Sequence, residues 1–406
     1  MNIPALSLRR AEDRLRMISL SGGGYRAMLY HAGVMRVLAD EGWLDAPGQS
    51  TVLCAVSGGS ITANVWDLNL SREPESTNQE PLWPERMLLR LLELSPRLGG
   101  RVGTYVRNQI RRSHWQNVLA HWWHAVEASF AEVCKPKRHP MGIDRRPPSD
   151  GGLCVLTEAV NFLNGQVYVF NRSSIVIPDR ELFKSGKSFS ETRFENGLTP
   201  FALRAATALP GYFRPVRIAL STNIKDYQTG ATLVDAGLID NLAMHPLLPL
   251  LTKNSAGESI VQRGDTWLLF NAGKPDPLIG ALGGVILPSN RRHRLSLTDR
   301  IFRLTGDLAQ PNYVFGLTRL INDYTPLEVR GTRIDVPTQE EPLWLPTKHL
   351  PDAAAVAAVA TSVNRMRRED AIGIMSWGAQ SACGLLGLDS SRTGAIRAKF
   401  EQLQKG

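Results

Sequence analysis

ISLSGGGYR at residues 18–26 and VLCAVSGGS at residues 52–60 are the two segments that decide the fold. In each, a short apolar run gives way to glycine and then to residues with helical spacing of their apolar side chains. This order is typical of a turn from a strand into a helix. Because two such strand–helix units follow each other directly, we predict an α/β core with parallel strand pairing.

The second segment also carries a candidate nucleophile, Ser57. A serine that ends a strand among small residues fits the sharp turn of a nucleophile elbow, and Ala55, Gly58 and Gly59 are all small. The three glycines at 22–24 offer backbone N–H groups that no side chain covers, which suits them to hold the oxyanion of an acyl transfer. Together the two segments indicate a serine hydrolase.

A glycine-rich turn before a helix is also typical of phosphate sites, because helix N-termini attract anions. The dinucleotide fingerprint is not met, since Ala27 stands where its last glycine would fall. No Lys-Ser/Thr pair follows either turn, which disfavours a P-loop. A catalytically silent lipid- or nucleotide-binding module that uses the loop at 22–24 stays open as the alternative function.

A serine hydroxyl needs a base to accept its proton, and two residues are candidates. Asp235 ends a strand-like run and is followed by the small residues Ala236 and Gly237, so its carboxylate is expected at a sheet edge. His245 follows ten residues later, and the chain order Ser57, Asp235, His245 fits an α/β-hydrolase triad. The residues alone leave both a Ser–Asp dyad and a Ser–Asp–His esterase open.

The composition is that of a globular protein with a basic surface. The chain has 406 residues, of which 43% are hydrophobic, a mean hydropathy of −0.16 and a formal net charge of +9. No apolar run approaches the roughly 20 residues of a membrane span, and residues 1–17 are charged rather than signal-like, so we expect a cytoplasmic protein. The four cysteines lie far apart with no C-x-x-C pair, so neither a zinc site nor a disulfide framework is indicated.

A single domain spanning residues 1–406 is expected, because no repeat or low-complexity segment divides the chain. Its core is predicted at about 15–273, with a helical insertion at about 71–150 and a C-terminal helical elaboration at about 274–406. Strands are predicted at 15–20, 51–56, 153–158, 166–171, 231–234 and 266–270. Helices are predicted at 25–41, directly after Ser57, and at 84–94, 201–208 and 352–368.

Four segments, in this order along the chain, resemble the patatin-like phospholipases, a family that includes the catalytic region of cytosolic phospholipase A2. GGGYR at 22–26 matches the family's oxyanion loop G-G-G-x-R/K, and AVSGG at 55–59 matches its G-x-S-x-G elbow. AATALPGYFRP at 205–215 is similar to the block A-A-S-A-x-P-x-F-F-P-P, and DAG at 235–237 matches the acid motif D-G-G/A. Ala55 and Ala236 stand where the family has glycine, but neither departure removes a reacting atom.

The resemblance implies a three-layer fold, in which helices flank a central, mostly parallel sheet. It also implies a phospholipase A-type reaction through an acyl-enzyme, without metal or organic cofactor. The arginine of the oxyanion loop is expected to brace that loop or to contact a lipid phosphate. The residues that the resemblance assigns to the site are the nucleophile Ser57, the base Asp235, the oxyanion donors Gly22, Gly23, Gly24 and Gly58, and the supporting Arg26.

Two basic stretches interleaved with apolar or aromatic residues, at 105–130 and 291–304, are candidate contacts with lipid headgroups. The alternative for both is a solvated basic face on a packed helix. The positive net charge favours an anionic partner. Because no nucleic-acid motif is present, we expect a phospholipid membrane surface, peripherally bound, and no nucleic acid. The sequence indicates neither an oligomeric state nor an activating small molecule.

Overall fold

The structure, a computed structural model, describes residues 14–44, 49–70, 82–94, 153–162, 165–171, 175–177, 187–189, 198–209, 215–218, 231–238, 240–247, 266–272, 316–320, 324–329, 332–337 and 366–405. The basic stretches at 105–130 and 291–304 lie outside the described residues, as does most of the predicted insertion and of the helix predicted at 352–368.

Twelve strands lie within the described residues. Their bounds are β1 (Arg14–Leu20), β2 (Gln49–Val56), β3 (Leu153–Asn161), β4 (Val167–Phe170), β5 (Ile175–Ile177), β6 (Lys187–Phe189), β7 (Val216–Ile218), β8 (Ala231–Asp235), β9 (Thr266–Asn271), β10 (Gly316–Leu320), β11 (Tyr324–Val329) and β12 (Thr332–Pro337). The six strands predicted from the sequence are all confirmed, with ends that shift by at most three residues. The other six strands were not predicted.

Ten of these strands form one mixed sheet in the order β10-β9-β1-β2-β3-β4-β5-β6, with β8 joined to β3 and β7 joined to β8. The central strands β9, β1, β2 and β3 pair in parallel, and antiparallel strands extend the sheet on both sides. β11 and β12 form a separate antiparallel pair. A parallel centre needs helices to cover its faces, so the predicted α/β class is confirmed.

The helices in the described part of the chain are α1 (Gly24–Asp40), α2 (Gly58–Leu70), α3 (Trp83–Leu94), α4 (Leu198–Ala206), α5 (Arg368–Leu385) and α6 (Ser390–Lys405). The helices predicted at 25–41, after Ser57, at 84–94 and at 201–208 are confirmed. The helix predicted at 352–368 is wrong at its described end, because Met366 and Arg367 are not helical and α5 begins at Arg368. None of the described helices combines the length and the apolar character that a membrane span requires.

Helix α1 is buried on nearly all sides. Its buried side chains share one hydrophobic cluster with residues of β1, β2 and β9, and α5 crosses it so closely that the two backbones touch. A methyl group at Gly33 of α1 would collide with the carbonyl oxygen of Met375, and one at Gly378 of α5 would collide with that of Tyr30. Only glycine permits such an approach, so these two positions fix how the helices cross.

The C-terminal helices belong to the core, which corrects the predicted core limit at residue 273. Buried side chains of α5 and α6 share one hydrophobic cluster with those of α1, and Trp377, Ile396 and Phe400 are among them. The region predicted as a helical elaboration also contains strands, since β10 extends the main sheet beside β9. Partners so distant in sequence leave no local pattern, which is why the core limit was set too early.

One helix of the predicted insertion, α3, is fixed to the core by a buried ion pair. Glu85 is fully buried, and both of its carboxylate oxygens accept hydrogen bonds from Arg36 of α1, at 2.5 Å from Nε and 2.8 Å from Nη2. A planar guanidinium bound at two points sets direction as well as distance. The pair therefore determines how α3 lies against α1.

Candidate active site

The register of the sheet brings the end of β2 next to the end of β8. β2 pairs in parallel with the first part of β3, where Val56 lies opposite Glu158. β8 pairs antiparallel with the last part, where Asp235 lies opposite Ala159. Because β4 occupies the other edge of β3, β2 and β8 share one edge and meet end to end. Ser57, which follows β2 at once, therefore lies at the same junction as Asp235.

Ser57 lies in a turn that is sharper than an ordinary residue adopts. Its φ is 51°, in the left-handed region, as expected for a strained strand-to-helix elbow. The two glycines after it are required by close packing. A methyl group at Gly58 would collide with the carbonyl oxygen of Gly24, and one at Gly59 would lie 2.7 Å from the carbonyl oxygens of Leu20 and Ser21. The elbow is thus packed directly on the first glycine turn.

Asp235 accepts a hydrogen bond from the side chain of Ser57. One of its oxygens, Oδ1, also accepts the backbone N–H of Gly237 at 2.8 Å. Asp235 is 3% exposed, and this burial raises the pKa of its carboxyl group from the ordinary 3.8 to about 6, although the two hydrogen bonds act to lower it. Near neutral pH the group is therefore charged and also basic enough to take a proton.

The glycine loop approaches this pair from β1. A methyl group at Gly22 would lie 3.2 Å from Cβ of Ser57 and would collide with Oδ1 of Asn241. Gly23 and Gly24 both have positive φ, 138° and 62°, which glycine adopts without strain. The loop is therefore held beside the serine in a conformation and at a distance that other residues would not permit.

The N–H groups of this loop are not equivalent, and one predicted oxyanion donor is already occupied. The N–H of Gly22 donates to the carbonyl oxygen of Asn241 at 2.9 Å, so its prediction as an oxyanion donor is wrong for this conformation. Gly24 and Gly58 begin α1 and α2, where the first N–H groups of a helix lack intrahelical acceptors. The donors that the described residues leave to the site are those of Gly23, Gly24 and Gly58.

Two buried side chains of α1 form hydrogen bonds with the ends of the strands beside the glycine loop. Nη2 of Arg26 donates to the carbonyl oxygen of Ala272, the residue that follows β9, at 3.2 Å. Nε2 of His31 lies 3.1 Å from the carbonyl oxygen of Ser21. Complete burial lowers the pKa of His31 to about 3, so the imidazole stays neutral and donates this hydrogen bond. His31 thereby holds the end of β1, from which the glycines start, and Arg26 holds the end of the neighbouring strand β9.

The alternative base, His245, lies on the loop after the acid motif. It is buried, and its backbone N–H donates to Oδ2 of Asp240. The hydrogen bond from the Ser57 side chain goes to Asp235. A described contact thus joins the serine side chain to the aspartate.

Sequence reasoning missed four residues that shape the site: Ser21, His31, Asp240 and Asn241. Asp240 and Asn241 could most easily have been predicted from the sequence, because Asp and Asn side chains in loops commonly bind backbone N–H groups a few residues further on. They also interrupt an otherwise apolar stretch soon after the acid motif. His31 gave only the weak signal of a single histidine within an apolar helix.

A family model for patatin-like phospholipases matches residues 18–248, which is more than half of the chain. This range contains both glycine turns, the serine elbow and the acid motif. The chain belongs to the patatin-like phospholipase family. The resemblance read from its four sequence segments is therefore confirmed.

Solved structures similar to this patatin-like protein include two of human GIVD cytosolic phospholipase A2. The structure without inhibitor is 14% identical with a TM-score of 0.43, and the match covers 98% of this chain and 62% of that one. A complex with methyl gamma-linolenyl fluorophosphonate and terbium chloride gives 14% identity, the same coverage and a TM-score of 0.42. The patatin-like chain thus spans less than two thirds of the length of these human structures.

A homoserine dehydrogenase of Schizosaccharomyces pombe is 33% identical over 87 residues. The match covers 20% of this chain and 23% of the dehydrogenase. So short a similarity indicates neither a shared fold nor a shared activity.

Proposed function

We propose that the protein is a phospholipase A-type acyl hydrolase that cleaves acyl esters of phospholipids through a Ser57–Asp235 dyad. The observation that carries this proposal is the hydrogen bond from the Ser57 side chain to a buried carboxylate whose pKa is raised to about 6. A hydroxyl group becomes an effective nucleophile when an adjacent base can accept its proton as it attacks. Asp235 is placed and tuned for that task.

In the first half of the reaction, Oγ of Ser57 attacks the ester carbonyl carbon and transfers its proton to Asp235. The carbonyl oxygen becomes an oxyanion, which the N–H groups of Gly23, Gly24 and Gly58 hold. The helix N-termini at Gly24 and Gly58 add a favourable field for this negative charge. When the tetrahedral intermediate collapses, the bond to the leaving alcohol breaks. The lysophospholipid oxygen then takes the proton from Asp235, which leaves an acyl-serine and a charged carboxylate.

In the second half, a water molecule attacks the acyl-serine and gives its proton to Asp235. A second oxyanion forms at the same N–H groups. Its collapse breaks the bond to Oγ, which recovers the proton from Asp235 as the fatty acid leaves. The two halves use the same groups in the same places, so no further protein base is required by this scheme.

The proposed substrate is a phospholipid at a membrane surface to which the protein binds peripherally from the cytoplasm. The net charge of +9 supports this choice, because anionic headgroups attract a basic protein. A Ser–Asp–His esterase that uses His245, and a silent lipid- or nucleotide-binding module, are the alternatives that an assay must separate.

The test is release of fatty acid from vesicles of a defined two-chain phospholipid. We expect wild-type protein to yield fatty acid and lysophospholipid, and Ser57→Ala and Asp235→Asn to lose at least a hundredfold in rate, as when a site loses its nucleophile or a major stabilising group. Ser60→Ala is the matched control, because Ser60 is a buried neighbour on α2. His245→Ala should stay active.

Three results would contradict the proposal in different ways. Equal rates for wild type, Ser57→Ala and Asp235→Asn would exclude the dyad. A loss in His245→Ala as large as in Ser57→Ala would favour the triad. A folded wild-type protein that binds the vesicles and releases no fatty acid would favour the silent binding module.

A further inference from the structure

Asp240 is a second buried carboxylate near the site that the proposed reaction does not use. It is fully buried, and its oxygens collect the backbone N–H groups of four successive residues. Oδ1 accepts from Leu242 at 3.2 Å and Oδ2 from His245, and the N–H groups of Ala243 and Met244 also donate to the carboxyl group. Consecutive N–H groups that converge on one anion form a concave nest, so this loop is wrapped around the Asp240 side chain.

The loop holds a conformation that it would not adopt alone. Ala243 has a φ of 55°, a left-handed value that is unfavourable for a residue with a side chain. Its carbonyl oxygen accepts a hydrogen bond from Oγ of Ser19 in β1 at 3.2 Å. The N–H of Asp240 donates to the carbonyl oxygen of Ala236 at 2.8 Å. The loop is thus tied to β1, to the acid motif and to the buried carboxylate.

Asn241 is the residue of this loop that reaches the glycine loop. Its carbonyl oxygen accepts the N–H of Gly22 at 2.9 Å. On the other side of the same planar peptide group, the carbonyl oxygen of Ser21 lies 3.1 Å from Nε2 of His31. A peptide held at both its oxygen and its hydrogen cannot rotate, so Asn241 and His31 together fix the direction in which the chain enters Gly23.

The Asn241 side chain also lies beside Gly237 of the acid motif. A methyl group at Gly237 would lie 3.1 Å from Oδ1 of Asn241 and 3.1 Å from Oδ1 of Asp235. The same Asn241 oxygen would collide with a methyl group added at Gly22, and that methyl group would lie 3.2 Å from Cβ of Ser57. Oδ1 of Asn241 is therefore a neighbour of both Gly22 and Gly237, so a movement of the Asn241 backbone would disturb the glycine loop and the acid motif.

We propose that Asp240 is a positioning residue for the oxyanion loop, acting through the Asn241 carbonyl that holds Gly22. This inference rests on the proposed acyl hydrolase function, since it assigns the carboxylate a task in the same site. Asp240 touches neither the substrate nor the reacting atoms. Asp240 keeps the peptide group between Ser21 and Gly22 in place, so that the N–H groups of Gly23 and Gly24 can donate to the oxyanion.

The experiment compares kcat and KM of the full-length protein on a soluble p-nitrophenyl ester. Asp240→Asn keeps the size of the side chain but loses its charge and an acceptor oxygen. We expect its kcat to fall at least tenfold with KM within twofold of wild type, because a small misplacement of catalytic groups is costly. Glu158→Gln removes another fully buried carboxyl group, which has no hydrogen-bond partner among the described residues, and should change kcat less than twofold.

Asp240→Asn is expected to lower the melting temperature as well, so a control must separate stability from positioning. Ile396→Ala removes a buried side chain of α6, away from the site, and should lower the melting temperature while kcat stays near wild type. If Asp240→Asn does not fold, Ser19→Ala decides, because it loosens the same loop by one hydrogen bond. Its kcat should fall two- to fivefold, about the effect of one neutral hydrogen bond. Ser50→Ala, at the opposite end of the neighbouring strand β2, should show no such loss.

The positioning role is overturned if kcat of Asp240→Asn falls no further than that of Ile396→Ala. It is likewise overturned if Asp240→Asn raises KM and leaves kcat unchanged. If Asp240→Asn cannot be purified, equal kcat values for Ser19→Ala and Ser50→Ala overturn it. A folded wild-type protein without ester hydrolysis would instead overturn the proposed function on which the inference depends. The two failures are therefore distinguishable.

Discussion

Replacing Asp235 by asparagine should make the protein more stable while it abolishes hydrolysis. Burial raises the pKa of Asp235 from 3.8 to about 6, so the folded protein binds this proton more tightly than the unfolded chain does. Stability therefore falls as pH rises from about 4 to about 6, and above that range the charged carboxylate destabilises the fold by about 3 kcal/mol. Asparagine is neutral at every pH and avoids this cost.

The assay is urea unfolding of wild type, Asp235→Asn and Ser57→Ala from pH 4.5 to pH 8. At pH 8 we expect Asp235→Asn to gain between about 1 and 3 kcal/mol over wild type, with the difference shrinking towards pH 4.5. Ser57→Ala removes a hydrogen bond from the charged carboxylate, so it should be no more stable than wild type at pH 8. The reasoning is refuted if Asp235→Asn gains nothing at pH 8, or gains as much at pH 4.5.

Three further predictions concern packing, the loop contact and the base. Gly378→Ala should lower the free energy of unfolding by at least about 2 kcal/mol, because the added methyl group would collide with a backbone carbonyl. In Gly373→Ala the added methyl group meets no atom within 4 Å, so this control should raise the free energy of unfolding by about 0.5–1 kcal/mol. Calorimetry of the two variants measures both changes. Gly22→Ala should reduce ester hydrolysis at least tenfold, and adding Asn241→Ala, which removes the colliding oxygen, should restore part of the rate in the same assay. The pH profile of kcat/KM should rise about tenfold per pH unit below about 6 and level off above it, as Asp235 loses its proton; a flat profile between pH 5 and 8 would contradict the assignment of the base.

The sequence was most informative where structure is local. A strand followed by glycines and a helix is specified by neighbouring residues, so β1–α1 and β2–α2 were predicted almost to the residue. The acid motif after β8 was found for the same reason. The meeting of Ser57 with Asp235, however, depends on two strands sharing one edge of β3. The residues alone made Asp235 one of two candidate partners of Ser57, and the family resemblance selected it.

Features that depend on distant partners were not predicted. β10 is five residues long and owes its place to pairing with β9. The burial of α1 on a second side requires α5, whose partner lies more than three hundred residues earlier in the chain. The helix was predicted at 352–368 because that segment is rich in alanine, whereas α5 begins at Arg368, where the predicted helix ends. No local pattern could have supplied these contacts.

The site was misjudged in one respect that only backbone geometry reveals. Three consecutive glycines suggested three equivalent oxyanion donors, yet the N–H of Gly22 is bound to Asn241. Sequence shows which N–H groups lack side chains, but not which of them already have acceptors. The nest around Asp240 was missed for the same reason, because its hydrogen bonds form only when the loop has folded.

The central claim is that Ser57 is an activated nucleophile, and mass spectrometry after treatment with a fluorophosphonate tests it most directly. We predict one covalent adduct per chain, on the peptide that contains Ser57. We further predict no adduct in Ser57→Ala, slow labelling of Asp235→Asn and unchanged labelling of His245→Ala. A folded wild-type protein that forms no adduct, or forms it on another serine, would contradict the account.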